Sequence, residues 1–349
     1  MIETWLAILI AISVSFLVVL LITPKAIEIL TEKGFTGTDV HKPERPEIPK
    51  GAGLVFLFAI VFSLLLILGL TTFKDFQVEM VATLAALVSI LMAGMIGFMD
   101  DNLDFSNKTK IALPLIATIP MMAMSIGTPT MSVPFIGTIN FGVAYALVIV
   151  PLMMTFIIDA TNMYAGMNGL EAGLASINAS GIVVYLLVSP LINGTPISSN
   201  QLEASIIAAA LLGASLAFLI FNRYPAKVLM GDVGTLPIGA AIAAALIIGN
   251  ADRLAILMFT PFALNFILYL VYRVYVKRKG IEWQKFATPR DDGTLEVVGP
   301  FTIYWILPYF FKNITEKRNV ALLLLLQVLL IYGALLLMIL GYPLGLGII

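Results

Sequence analysis

Runs of roughly 20 apolar, uncharged residues recur along the whole of this 349-residue chain, and nothing else in it constrains the fold as much. A helix needs about 20 such residues to cross a bilayer core. Ten runs lie near residues 4–23, 52–71, 80–98, 111–126, 141–158, 171–190, 203–221, 233–249, 254–276 and 319–342. The expected fold class is therefore an all-α polytopic membrane protein of about ten transmembrane helices, read as a single transmembrane domain over residues 1–349. Composition agrees: 12% of residues are charged, against roughly 25% in soluble domains, and mean hydropathy is +1.01. With 20 Lys and Arg against 21 Asp and Glu there is no basic excess, which excludes a nucleic-acid binder. The first run, Trp5 to Ile22, is too long for a signal-peptide core and lacks its basic flank, so it counts as a span. The absence of cysteine excludes disulfides, thiolate metal sites and a cysteine nucleophile, and the lone His41 excludes a multi-histidine centre.

An even number of spans puts both termini on one side. The loops on the opposite side are 24–51, 99–110, 159–170, 222–232 and 277–318, and, with Arg273 counted in the loop its helix end adjoins, they carry every Lys and Arg except Lys74 and Arg253. Basic residues mark the cytoplasmic side, so these five loops are cytoplasmic and both termini are not. The acids Asp100, Asp101, Asp104, Asp159, Glu171 and Asp232 stand at the ends of spans on the same face. Any one of them can be a helix cap. Three separate loops bringing carboxylates to one membrane face is a stronger signal, because a carboxylate near hydrocarbon is costly.

Each loop has its own chemistry. In GTDVHKPERPEIPKGAG, prolines stiffen a segment in which Lys42 and Arg45 can hold phosphate, although basic loop residues also serve topology alone. His41 by itself says nothing of acid–base work. In FMDDNLDFSNKTK, Asp101 and Asp104 share a face if the helix continues by a turn, while Asp100 points elsewhere; Lys108 and Lys110 follow. One carboxylate can then serve a metal and another a substrate proton. In NMYAGMNGLEAG, Asn162 and Asn168 can ligate a metal through oxygen or read a base edge, though Asn and Gly are also ordinary turn residues. Asp232, between Gly231 and Val233, can cap the eighth span or complete a metal site. The fifth loop mixes Lys277, Arg278, Lys279, Lys285 and Arg290 with a DDG turn before Val297 and Val298, the pattern of a short hairpin able to cover an anion. Hard oxygen donors without histidine or cysteine favour magnesium, with manganese as its substitute. The residues together point to metal-dependent phosphoryl chemistry at the cytoplasmic face, with a lipid as one substrate.

The ordered set HKPERPEIPKGAG, FMDDNLD, NMYAGMNGLEAG and GDVG, with KRNVALLLLLQVLL near the end, resembles the polyprenyl-phosphate N-acetylhexosamine-1-phosphate transferases over nearly the whole chain. NGLEAG and ERPEIP are most similar to the archaeal and eukaryotic branch, which moves GlcNAc-1-phosphate from UDP-GlcNAc to dolichyl phosphate, releases UMP and begins N-glycan assembly. The resemblance implies magnesium on Asp232 and Asn162. It places Asp100 and Asp101 beside the phosphates, one of them as the base for the lipid phosphate, with Lys110 near the reacting groups. Asn168 and Gly166 match the uridine site, and Glu171 belongs to the same motif. It implies an active site on the cytoplasmic face of the cell membrane, or of the endoplasmic reticulum in a eukaryote, and it accommodates a homodimer.

Three positions depart from the pattern. Asp104 stands where asparagine is common, Leu229 where an aromatic often precedes Gly-Asp, and an Arg-x-Arg cluster of the fifth loop is missing, with Arg290 the best substitute and Lys285 and Arg278 behind it. The alternatives are the same reaction on another UDP-N-acetylhexosamine or on undecaprenyl phosphate, and, from a different class, a transporter for a cation or phosphorylated metabolite. Transport predicts charges near span midpoints and repeated halves, and neither is evident.

Overall fold

The computed structural model describes residues 2–74, 80–133 and 137–340. Among them, eight helices are long and apolar enough to cross a membrane: α1 (Ile2–Glu32), α2 (Gly53–Lys74), α3 (Met80–Leu103), α7 (Val150–Met163, led in by a π-helical turn Tyr145–Ile149), α8 (Leu170–Ile192), α9 (Ser199–Asn222), α11 (Asp252–Lys279) and α13 (Glu316–Ile339). A ninth, α10 (Asp232–Ile248), is shorter and just as apolar. The expected all-α polytopic class is therefore the observed one. The end of the last expected span, residues 341–342, lies outside the described residues.

The fourth expected span is not one helix. Residues 107–123 form three short pieces, α4 (Asn107–Ala112), α5 (Pro114–Ala117) and α6 (Ile119–Ala123). Pro114 and Pro120 each sit at the start of a new piece, where a missing N–H is harmless, and each interrupts the ladder of the piece before. The expected loop boundaries also shift. α1 runs through Pro24 to Glu32, α3 to Leu103, α7 to Met163 and α11 to Lys279, so several expected loop residues are helical.

Three two-stranded hairpins complete the fold: β1 (Thr36–Thr38) with β2 (Glu47–Pro49), β3 (Thr130–Val133) with β4 (Gly137–Asn140), and β5 (Thr288–Pro289) with β6 (Leu295–Glu296). The last is the hairpin anticipated in the fifth loop, but its strands end before Val297.

At the centre stands α10, every residue of which from Val233 to Ile248 is buried against α3, α7 and α9. Its 17 residues rise only about 25 Å, less than the ~30 Å hydrocarbon core, but no lipid-facing mismatch arises because other helices surround it. Small residues allow this crowding, as expected where lipid offers no hydrophobic drive to pack helices. Gly97 of α3 is the tightest case: a Cβ there would lie 2.1 Å from the carbonyl oxygen of Asp232. That contact sets the end of α3, with its aspartates, directly against the start of α10.

Candidate active site

The N-terminus of α10 is anchored from three directions. Gly231 precedes it at φ +78, and a Cβ there would sit 2.6 Å from an Asp101 carboxylate oxygen, so only glycine fits. Asp101 Oδ2 accepts the Val233 N–H at 3.0 Å. The segment before it is stitched to the first loop: Leu229 N–H donates to Pro49 O, Gly51 N–H to Leu229 O and Gly53 N–H to Met230 O. Asp232 is thereby presented at the first turn of a buried helix, where the helix dipole favours a negative group.

Around Asp232 lies a cavity of about 590 Å³. One wall carries Asp232, Thr235, Asn162, Lys50 and Lys110. Asn162 Oδ1 accepts the Thr235 hydroxyl at 2.9 Å, which joins the end of α7 to α10. Lys50 Nζ lies 2.9 Å from Asp101 Oδ1, and Lys110 Nζ lies 2.9 Å from Asp100 Oδ1. Asp100 and Asp101 are themselves not among the lining residues. The cavity wall is made by the two ammonium groups, and the paired aspartates stand behind them. Burial works against the charge of Lys110, but the hydrogen bond and charge of Asp100, with Asp232 and Asp104, outweigh it and hold its pKa above the ordinary lysine value. Lys110 is a fixed cation.

The expected pairing of Asp101 with Asp104 does not occur. Helix α3 stops at Leu103, and Asp104 adopts a left-handed φ of +47, which turns its fully exposed side chain away from the helix face. It reaches Lys110 only at 3.5 Å. Asparagine is among the residues that tolerate this conformation, which accounts for its interchange with Asp104.

Gly166, Asn168 and Glu171 also line the cavity. Asn222, at the end of α9, holds this loop by accepting the Gly169 N–H at 3.1 Å and donating to Val228 O at 3.0 Å. Glu171 is buried at the start of α8, with Oε2 lacking a hydrogen-bond partner among the described residues. Leu229 lines the cavity, as expected for its position before Gly231 and Asp232.

The roof is the fifth loop, fastened to α11 by aromatic packing. Tyr272 stacks near Trp283 and Phe301, with centroids at 4.5 and 5.0 Å, and its hydroxyl accepts the Gln284 N–H at 3.0 Å. This brings Lys285 and Phe286 over the cavity. Arg290, the expected substitute for the missing arginine cluster, is not there. It is held in the β5–β6 hairpin by Glu296 at 3.2 Å and by Lys312 O at 3.4 Å. The cation of this loop that lines the cavity is Lys285.

Two residues of the first loop also differ from expectation. Arg45 is exposed, at φ +46, and outside the cavity lining. Lys42 is half-buried and already engaged: with Asp39 at 3.1 Å, Asn168 Oδ1 at 2.9 Å and the Glu316 carboxylate. An ammonium has three N–H groups, and these partners use all of them. Sequence reasoning missed Glu316, Asn222, Thr235 and Lys50 as site residues. A carboxylate at the first turn of an apolar helix, the signal that marked Asp232, also marks Glu316.

His41 is buried against Phe286, with ring centroids 5.8 Å apart. The Gly166 backbone lies near, but neither ring nitrogen meets a partner in hydrogen-bond geometry among the described residues. Burial lowers its pKa from 6.5 to about 4, with Asp39 opposing and Lys42 adding to the shift. The folded value lies below the unfolded one, so the unfolded chain takes up the proton first. Stability should therefore fall as pH drops through 6.5, the loss being complete near 4. Thermal melting in detergent at pH 7 and 5 tests this: His41→Phe should flatten the difference, and an equal difference in both proteins would remove His41 as its source.

Fold and cavity together define a polytopic helical membrane protein with a charged polar cavity at the ends of its spans. The description "Glycosyl transferase family 4" matches residues 83–250. A Saccharolobus solfataricus protein provisionally named UDP-N-acetylglucosamine–dolichyl-phosphate N-acetylglucosaminephosphotransferase is 35% identical over 268 residues, covering 76% of this chain and 78% of the relative. A Dictyostelium discoideum protein with that name is 26% identical, covering 87% and 81%. A phospho-N-acetylmuramoyl-pentapeptide-transferase of Halalkalibacterium halodurans is 28% identical, covering 78% and 84%. The chain belongs to glycosyl transferase family 4.

Proposed function

We propose that this protein transfers N-acetylglucosamine 1-phosphate from UDP-N-acetylglucosamine to a dolichyl or related polyprenyl phosphate, with release of UMP, at the cytoplasmic face of its membrane. The observation that carries the reading is the cavity in which two lysines, each paired with an aspartate, are lining residues together with Asp232, Asn162 and Asn168. An anionic nucleotide and an anionic lipid head need this arrangement, since little covalent work is asked of the protein in phosphoryl transfer. The excess of basic residues in the loops around the cavity supports the cytoplasmic side, and the relatives named above support the substrates.

An apolar groove supports the lipid. It has a volume of about 500 Å³ and runs between α7 and α11, lined by Met153, Phe156 and Ile157 on one side and by residues from Asp252 to Ile267 on the other. Further along α11, Tyr269 and Tyr272 line the polar cavity, so one helix borders both the groove and the cavity.

A phosphate monoester has a second pKa near 6, so about nine-tenths of the lipid phosphate is dianionic at pH 7 without help from a base. Its oxygen attacks the phosphorus that bears the sugar; the new P–O bond forms as the bond to the bridging oxygen breaks, and UMP carries that oxygen away. Lys50 and Lys110 hold the phosphate oxygens and disperse the charge. Asp100 and Asp101 set the two ammonium groups from behind the cavity wall. Bringing three carboxylates, Asp100, Asp101 and Asp232, against the two lysines leaves one negative charge, and Asn162 adds an amide oxygen. Among the described residues no three carboxylate or histidine side chains close into a complete cage. That donor set fits magnesium, which is commonly held by one or two carboxylates plus substrate phosphates. Asp232 and Asn162 would hold it. Bound there, it neutralises pyrophosphate charge.

The test is incubation of purified protein with magnesium, dolichyl phosphate and labelled UDP-N-acetylglucosamine, following UMP and labelled lipid. Turnover with a different UDP-sugar alone would overturn the donor assignment. EDTA should stop the reaction and magnesium restore it, with manganese as a partial substitute; full activity in chelator would remove the metal from the reading.

A further inference from the structure

We infer that Lys42 and Glu316 are positioning residues that fix which end of the Asn168 carboxamide faces the cavity, and so make this wall a reader of a nucleobase carbonyl rather than an amino group. Asn168 is held at its backbone N–H and at its side-chain oxygen. Its backbone N–H donates to Glu316 Oε1 at 2.7 Å. Its side-chain oxygen accepts from Lys42 Nζ at 2.9 Å and from the Ala226 N–H at 2.8 Å. The other Glu316 oxygen takes the Lys42 ammonium, which also meets Asp39 at 3.1 Å and lies 4.2 Å from the Tyr224 ring centroid. The network joins the first loop, the loop before α8, the loop before α10 and the first turn of α13. Glu316, Asp39 and Asn168 are all buried.

The two ends of a carboxamide have nearly the same shape, and hydrogen bonding decides between them. A flipped Asn168 would turn its NH₂ against an ammonium and a peptide N–H, two donors facing a donor. Neither Lys42 nor Ala226 lines the cavity, whereas Asn168 does. The oxygen therefore points away from the cavity, and the amino end, which has no acceptor among the described residues, is the end left for a ligand. An N–H₂ donor needs an acceptor opposite it, and set against the 4-position of a pyrimidine it meets a carbonyl in uracil and an amino donor in cytosine. Leaving a donor unpaired against another donor weakens binding by about tenfold or more.

This inference rests on the uridine-nucleotide reading of the cavity. The test uses UMP and CMP, so that it needs neither sugar nor lipid. In titration calorimetry the wild-type protein should bind UMP at least about tenfold more tightly than CMP. Lys42→Met with Glu316→Gln, which removes the paired charges together and leaves Asp39 as the one carboxylate without its cation, should weaken UMP and bring the ratio towards one, whereas Lys42→Arg should keep most of it. Asn168→Asp keeps the clamp but replaces the cavity-facing donor, and should lower the ratio even if the double variant does not fold. Equal binding of UMP and CMP by the wild type would overturn the inference and leave the transferase reading standing. So would a double variant, or Asn168→Asp, that weakens both nucleotides alike with the ratio unchanged. A clear preference for UMP in a protein that fails to turn over UDP-N-acetylglucosamine would instead sink the donor assignment alone. A folded wild type that binds no UMP would overturn both.

Discussion

Asp232→Asn should lower kcat by about 10²- to 10³-fold or more while leaving the protein folded and able to bind UMP. The substitution is isosteric. It keeps an oxygen at the first turn of α10, and it leaves Gly231, the Val233 N–H bond to Asp101 and the buried length of the helix untouched. It removes only charge. Asp232 lies within hydrogen-bonding reach of Asp100 and beside Asp101 and Lys50, so its carboxylate is the centre of the charged wall. A neutral amide there binds a divalent cation less well and leaves the lysines with a changed balance. The loss should therefore be partly recovered at high magnesium, which a folding defect would not be. Asp232→Ala tests the same point more severely. Near-normal turnover in either variant would sink the assignment of Asp232 to the metal, and a loss that magnesium does not touch would point to charge placement instead.

The spans could be read from the chain because their physics is local: about 20 apolar residues are visible as a run whatever surrounds them. The exception, residues 111–126, was apolar enough to be seen but not to be seen as broken. Pro114 and Pro120 can kink a helix or start a new one, and only the packing decides. The face bearing the site was legible for a similar reason, since acids such as Asp100 and Asp232 at span ends stand out against hydrocarbon. Which of them face the cavity was not legible. Asp100 and Asp101 are adjacent to the site in sequence and lie behind Lys110 and Lys50 in space, because the partners come from α4 and from the segment after β2. Lys42 was taken for a phosphate ligand because its partner Glu316 is 274 positions away. Arg290 was favoured over Lys285 by its place beside Pro289. The pairing of Arg290 with Glu296 across the β5–β6 hairpin could not be weighed without knowing where that hairpin ends.

Lys110→Met and Asp100→Asn should each reduce kcat by about 10²-fold, and the double variant should be scarcely worse than the poorer single one. The two groups act as a unit, with Lys110 Nζ 2.9 Å from Asp100 Oδ1. Of the two, Lys110 alone lines the cavity, and Asp100, with 5% of its side chain exposed, reaches it through that ammonium and through Asp232. Asp100 also accepts the Phe105 N–H at 3.1 Å, which fixes the bend between α3 and α4 and with it the position from which Lys110 extends. Asparagine can still accept that bond, so Asp100→Asn should leave the bend in place and loosen only the lysine. Removing Lys110 leaves the Asp100 carboxylate facing Asp232 without a counter-charge, which weakens the wall for the same anionic substrate. A general base gives a different result. If Asp100 takes the acceptor's proton itself, its replacement alters the acid limb of the kcat profile while Lys110→Met preserves that limb, and the two losses multiply. A multiplicative double variant would therefore return Asp100 to the role of base, and a coincident one would confine it to holding Lys110.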